Sequence, residues 1–154
     1  MKKVLLSLVA ALAIFSFVSC GEKNSNVVKI GVFEPASGDN GAGGKQETLG
    51  IQYANYITPT VKIGDVEYKV QLEIVDNESS NDKAVTAASE LISKGVSVVL
   101  GSYGSGVSIA ASDTFAAANV PAIGVTCTNP QVTLGNDHYF RICFCFNNFP
   151  IRYW

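Results

Sequence analysis

Residues 96–130 read VSVVLGSYGSGVSIAASDTFAAANVPAIGVTCTNP. Residues 96–100 form a β-branched run that predicts a buried strand, residues 101–106 a Gly/Ser loop, and the Ala-rich stretch that follows a helix. Residues 121–125 predict a second buried strand, and residues 126–130 a polar loop. Two hydroxyl-bearing loops at the carboxyl ends of parallel strands, one of them opening a helix, suit a small ligand with a carboxylate. A helix N-terminus offers unpaired N–H groups and the positive end of a dipole. Open α/β sheets hold ligands in the crevice at those strand ends. The candidate contacts are the polar groups of these two loops, the Gly106 amide at the helix start among them, with Tyr103 as cover for an apolar side chain.

Upstream, residues 27–33 (VVKIGVF) predict a buried strand closed by Glu34 and Pro35, and residues 37–44 (SGDNGAGG) predict a loop. A helical period starts near Gln46, with Leu49, Tyr53 and Tyr56/Ile57 as its apolar stripe, and Pro59 stops it. Gly64 and Asp65 make a turn, and residues 68–75 (YKVQLEIV) a second strand. Ser80 and Asn81 cap the next helix, Asp82 suits its first turn, and Val85, Ala88 and Leu91/Ile92 form its core stripe. Gly95 ends it. In the helix after the Gly/Ser loop, Val107, Ala111, Phe115 and Ala118 share a face, and residues 139–144 add a further strand. Four β units joined by three helices predict an α/β fold with a three-layer, mostly parallel sheet and right-handed crossovers.

Residues 1–19 read as an export signal: Lys2 and Lys3 precede an apolar run too short to span a membrane. Cys20, Gly21 and a polar linker to residue 26 resemble a bacterial lipoprotein signal, which implies lipidation of Cys20. What remains suits one domain of ordinary size. A net charge of −2, with no basic run beyond the signal, argues against nucleic-acid binding. Cys143 and Cys145 lie two apart, where a direct bridge is strained, and Cys127 stands alone. No disulfide framework, metal spacing or cofactor loop emerges. GSYGSG is not GxGxxG, and Ser108 falls one turn inside a helix rather than on a nucleophile elbow. His138 beside Asp137 reads as a solvated turn. No catalytic residue is expected, and the chain does not read as an enzyme.

Taken in order, VVKIGVFEPASGDNG, YKVQLEIVDNESSNDKAVTAASELISKGVSVVLGSYGSG, NVPAIGVTCTNPQVT and HYFRIC resemble the amino-terminal part of the branched-chain amino-acid (leucine/isoleucine/valine) binding proteins. These are type I periplasmic solute-binding proteins of ABC importers. The resemblance implies a two-lobed clamp that closes on an amino acid and is read by a membrane permease. Only part of the first lobe is present in residues 27–143. It implies carboxylate binding at Ser105, with Thr126 and Thr128 as further ligand contacts. Gly43 stands where the family often carries a ligand-packing aromatic, which bears on branched-chain specificity. Ser79 and Gly104 stand where better-known members have a disulfide.

The resemblance stops after Cys143, so residues 144–154 (FCFNNFPIRYW) read as an aberrant or truncated tail, with impaired binding as the consequence. The expected setting is an exported protein, lipid-anchored at the cell membrane, whose partners are a small amino-acid-like solute and an ABC permease. The alternative is a ligand-sensing receptor ectodomain of the same fold.

Overall fold

The computed structural model describes residues 26–145. The export signal, Cys20 and residues 146–154 of the tail lie outside the described residues. The elements are β1 (Val27–Glu34), α1 (Gly41–Ile57), β2 (Thr60–Ile63), β3 (Val66–Asp76), α2 (Asn81–Ser93), β4 (Val98–Gly101), α3 (Ser105–Ala117), β5 (Ala122–Gly124) and β6 (Tyr139–Arg141). They build one sheet in the order β2-β3-β1-β4-β5-β6, parallel except for the β2–β3 hairpin.

Chain direction across this sheet reverses once. From β1 the chain moves outward to β3, then returns past β1 to β4 and on to β5 and β6. Right-handed crossovers therefore put α1 on one face and α2 and α3 on the other, giving three layers. The reversal falls between β1 and β4, which is where open sheets of this kind leave a crevice at their carboxyl ends.

Alternation along the strands sorts the side chains between the faces. On the α2/α3 face, Phe33 meets Phe115 edge-on at 5.4 Å, and both are fully buried with Leu91, Val99, Val107 and Ala111. This is the main core. On the α1 face, Ile30, Leu72, Leu100, Ile123, Val125 and Ile142 floor an open apolar groove of about 700 Å³, with α1 along its side.

The sheet and all three helices follow the sequence pattern, with local corrections. Helix α1 starts at Gly41, five residues before the apolar period begins. Its glycines let it sit down on the exit of β1: a Cβ at Gly44 would lie 2.2 Å from the Pro35 carbonyl oxygen. The stripe of Leu49, Tyr53, Tyr56 and Ile57 is 59–83% exposed. The helix is oriented instead by its glycine contacts and by Ile51 and Ala54, which border the groove. Strand β2 adds an antiparallel hairpin around Gly64, whose φ is +59°, a conformation natural for glycine. Val85 is half exposed, and the buried stripe of α2 is Ala84, Ala87, Ala88 and Leu91. Ala118 lies just past the end of α3 and is exposed. Strand β6 ends at Arg141, short of the predicted residue 144, and leaves Cys143 and Cys145 beyond it.

Candidate functional site

Four chain turns converge at the carboxyl ends of β1, β3, β4 and β5. Asp76 ties the first two together. Its carboxylate accepts the Ala36 amide at 2.8 Å, the Ser37 hydroxyl at 2.7 Å and the Glu78 amide at 2.8 Å. Burial on its own would raise this carboxyl, but those donors hold it below the usual carboxylate range. Ser79, at a position where the sequence resemblance implied a missing disulfide, accepts the Asn40 amide at 3.0 Å and donates to the Ser37 carbonyl at 2.9 Å. Hydrogen bonds thus join the segments.

Asn77, two residues past the strand predicted at residues 68–75, is the hub behind these turns. It is fully buried. Its Nδ2 donates to the Phe33 carbonyl at 2.9 Å and the Ser102 hydroxyl at 3.0 Å, and its Oδ1 accepts the Ser79 amide at 3.1 Å. The signal that marks it in sequence is an Asx residue directly after a strand, a position where side chains bond nearby backbone.

The Gly/Ser loop divides differently from expectation. Ser105 and Gly106 belong to the first turn of α3, and Gly104 is the N-cap with no side-chain cap bond. The first-turn amides therefore face the crevice without a capping side chain. Ser105 is half buried, and its Oγ accepts the Asn129 amide at 3.3 Å. The exposed Thr126 directs its hydroxyl at the Tyr103 carbonyl, 3.5 Å away. Thr128 is half buried, and its carbonyl accepts Nη1 of Arg141 at 3.3 Å. The two predicted loops, residues 101–106 and 126–130, therefore touch each other.

Tyr103 crosses to a third segment. A Cβ at Gly43 would come 2.5 Å from its ring Cε2, so the ring covers Gly43 where the family resemblance put an aromatic. Tyr103 remains 38% exposed. Gly106 lies against the start of α2, where a Cβ would meet Asn81 Oδ1 at 2.9 Å.

Residues weighed for chemistry are occupied by structure. Ser108 is buried, donates to the Gly104 carbonyl at 3.2 Å and accepts the Ser102 amide at 3.2 Å. Cys127 is fully buried, and that burial pushes its thiol up to about 11, far from a thiolate at neutral pH. Cys143 approaches it, with the thiol 3.2 Å from the Cys127 carbonyl oxygen. His138 bonds Asn119 through Nε2 at 3.1 Å. Among the described residues, no group of three His, Cys, Asp or Glu side chains forms a metal site.

Glu34 is the residue least visible beforehand. It ends β1, is 1% exposed, and accepts the Tyr103 amide at 2.7 Å through Oε2. Burial first, and the neighbouring Glu47 carboxyl second, push it up to about 9 against that one amide donor.

Comparison with known proteins agrees with this architecture. A family model described as "Periplasmic binding protein" matches residues 27–148. The Leu/Ile/Val-binding protein homolog 1 of Brucella abortus is 32% identical over 145 residues, covering 93% of this chain and 38% of its own length. The homolog 3 of Brucella melitensis is 30% identical over 141 residues, covering 90% and 37%. The crystal structure of the leucine-binding protein LivK of Thermotoga maritima superposes with a TM-score of 0.71 at 34% identity, over 77% of this chain and 33% of that one. LivJ of Streptococcus pneumoniae, solved with isoleucine, gives 0.69 at 28% identity, over 77% and 34%. The chain spans 37–38% of the length of these curated relatives. With a family match over most of its length, the chain belongs to the periplasmic binding protein family.

Proposed function

We propose that this chain supplies one wall of an extracytoplasmic solute-binding protein that feeds amino acids of the branched-chain type, or related small solutes, to an ABC permease. The observation that carries the reading is the junction of residues 102–106 and 126–129 beside the sheet's reversal point, held by the Asn129 amide on Ser105 Oγ at 3.3 Å. That bond uses an acceptor lone pair of Ser105 and leaves its hydroxyl proton for a ligand carboxylate. The Ser105 and Gly106 amides add donors and the positive end of α3. Thr126 and Thr128 offer hydroxyls from the facing loop, and Tyr103 covers the apolar side chain. Family membership supports an extracytoplasmic setting and a solute-binding rather than an enzymatic role. Lipidation at Cys20 would hold the protein at the membrane surface, since acyl chains bury at about 0.8 kcal/mol per CH₂.

A site that meets a ligand from one side buries less of it than the roughly 70–90% usual for small-molecule pockets. For residues 27–143 on their own, which offer this one wall, affinity for leucine, isoleucine or valine is therefore expected in the millimolar range, about −4 kcal/mol. Ser105→Ala removes a charge-assisted donor and should weaken binding roughly tenfold or more. An NMR titration of both proteins with L-isoleucine measures this. An unchanged affinity in the variant removes Ser105 from the site.

A further inference from the structure

Glu34 and Glu47 bring four carboxyl oxygens together on the α1 face with very few donors. Glu34 Oε2 accepts the Tyr103 amide, but Oε1 and both Glu47 oxygens are buried without a donor among the described residues. The Glu47 carboxyl lies close enough to Glu34 for its charge to act on it. No ion pair among the described residues reaches either of them. The Glu34 carboxyl also presses on the turn that leads into α3, because a Cβ at Gly101 would lie 2.6 Å from Oε1. Two adjacent buried carboxylates without a cation repel each other and lose hydration. One proton placed between them removes a charge and supplies the missing donor.

We propose that Glu34 and Glu47 share a single proton, and that Glu34, held in this way, is the positioning residue for residues 101–105. The carboxyl fixes the Tyr103 amide, and with it the entry to α3 and the Ser105 hydroxyl. When both carboxyls ionise, their repulsion frees that turn.

The groups facing the pair come from three places. Tyr103 offers its amide from the β4–α3 turn. Tyr139 of β6 donates its hydroxyl to the Gly101 carbonyl at 2.6 Å, and burial raises its ionisation well above the usual range. Asp76 is the register neighbour of Glu34 on β3, but its carboxylate is spent on Ala36, Ser37 and Glu78. Helices α2 and α3 lie across the sheet. Between 4.5 and about 9, the folded chain keeps a proton on Glu34 that the unfolded chain has released. Stability therefore falls as pH rises through that window and is level above it.

The dependence of ligand affinity on this pair rests on the ligand reading of residues 102–106, but the turn's own response is measured without ligand. In an amide NMR titration of the full chain, the Tyr103 and Ser105 signals should move together with a midpoint near 9. In Glu34→Gln, whose side chain still accepts from Tyr103 and donates to Glu47, they should stay in place. Its melting temperature should also lose the decline with pH. In Glu47→Gln the midpoint should fall. The infrared carbonyl band of a protonated carboxylic acid should be present in the wild type at neutral pH and absent in Glu34→Gln. Unchanged titration of Tyr103 and Ser105 in Glu34→Gln overturns the inference. So does absence of the band in the wild type, a measurement that needs neither variant to fold. A titrating turn whose L-isoleucine affinity ignores the transition refutes the ligand reading and leaves the shared proton standing.

Discussion

Gly101→Ala should destabilise the lobe by about 3 kcal/mol or more, among the largest effects of any single methyl added to this chain. Gly101 has φ +119°, where L side chains are strained. The added Cβ would lie 2.4 Å from the Phe33 carbonyl oxygen and 2.6 Å from Glu34 Oε1. The first contact is backbone of the adjacent central strand, which cannot move without disturbing the β1–β4 ladder. The second is the buried carboxyl that holds the Tyr103 amide. Strain and collision therefore act at the hinge between β4 and α3, and the proposed ligand wall should be lost with them. Gly95→Ala is the matched control. Its φ is +73° but nothing lies within 4 Å of the new Cβ. That change should cost only the left-handed penalty of about 1–2 kcal/mol. Urea unfolding of the two variants decides the matter. Equal losses would mean that the close approach at Gly101 is not what the position requires.

Asn77→Ala should cost about 2–4 kcal/mol, again without touching a proposed ligand contact directly. The side chain is fully buried and makes three hydrogen bonds, to Phe33, Ser102 and Ser79. Truncation strands the Phe33 carbonyl and the Ser79 amide and removes the donor that orients Ser102. Ser102 in turn supports the Gly104 amide at 3.3 Å, one residue before the α3 first turn. Asn77→Asp is the sharper test. It keeps the shape and the acceptor for Ser79 but turns the donor that faces the Phe33 carbonyl into an acceptor. It should be as damaging as alanine at neutral pH, because a buried acceptor then faces a carbonyl. Full stability in the aspartate variant would show that the donor is not needed.

What the sequence discloses about this lobe follows from how local each determinant is. The strands and helices of residues 96–130 are legible because their signals are short-range: β-branched runs, a Gly/Ser turn and an alanine-rich period. The crevice follows from topology once the strands are parallel, and the meeting of the 102–106 and 126–129 loops follows from it. The stripe of Leu49, Tyr53, Tyr56 and Ile57 misleads because periodicity shows that a helix has an apolar face, not that anything covers it. Glycine contacts at Pro35 set the pose of α1 instead. Strand β2 is illegible because three of its four residues are exposed and its pairing is a local hairpin. Glu34 looks like the polar end of a strand until Glu47, on the helix packed above it, is brought alongside by the fold. Asn77 hides for the same reason: two of its three partners, Ser102 and Phe33, are 25 and 44 residues away.

The central claim is that donors at the first turn of α3 and at the loop after β5 grip one end of a single small solute. Amide chemical-shift mapping tests it most directly, with L-leucine, L-isoleucine and L-valine added to about 10 mM to match millimolar affinity. The account predicts saturable shifts concentrated at Tyr103, Ser105, Gly106, Thr126 and Thr128. Saturable shifts confined to the apolar groove around Ile30, Leu72 and Leu100, with those five residues unmoved, would contradict it.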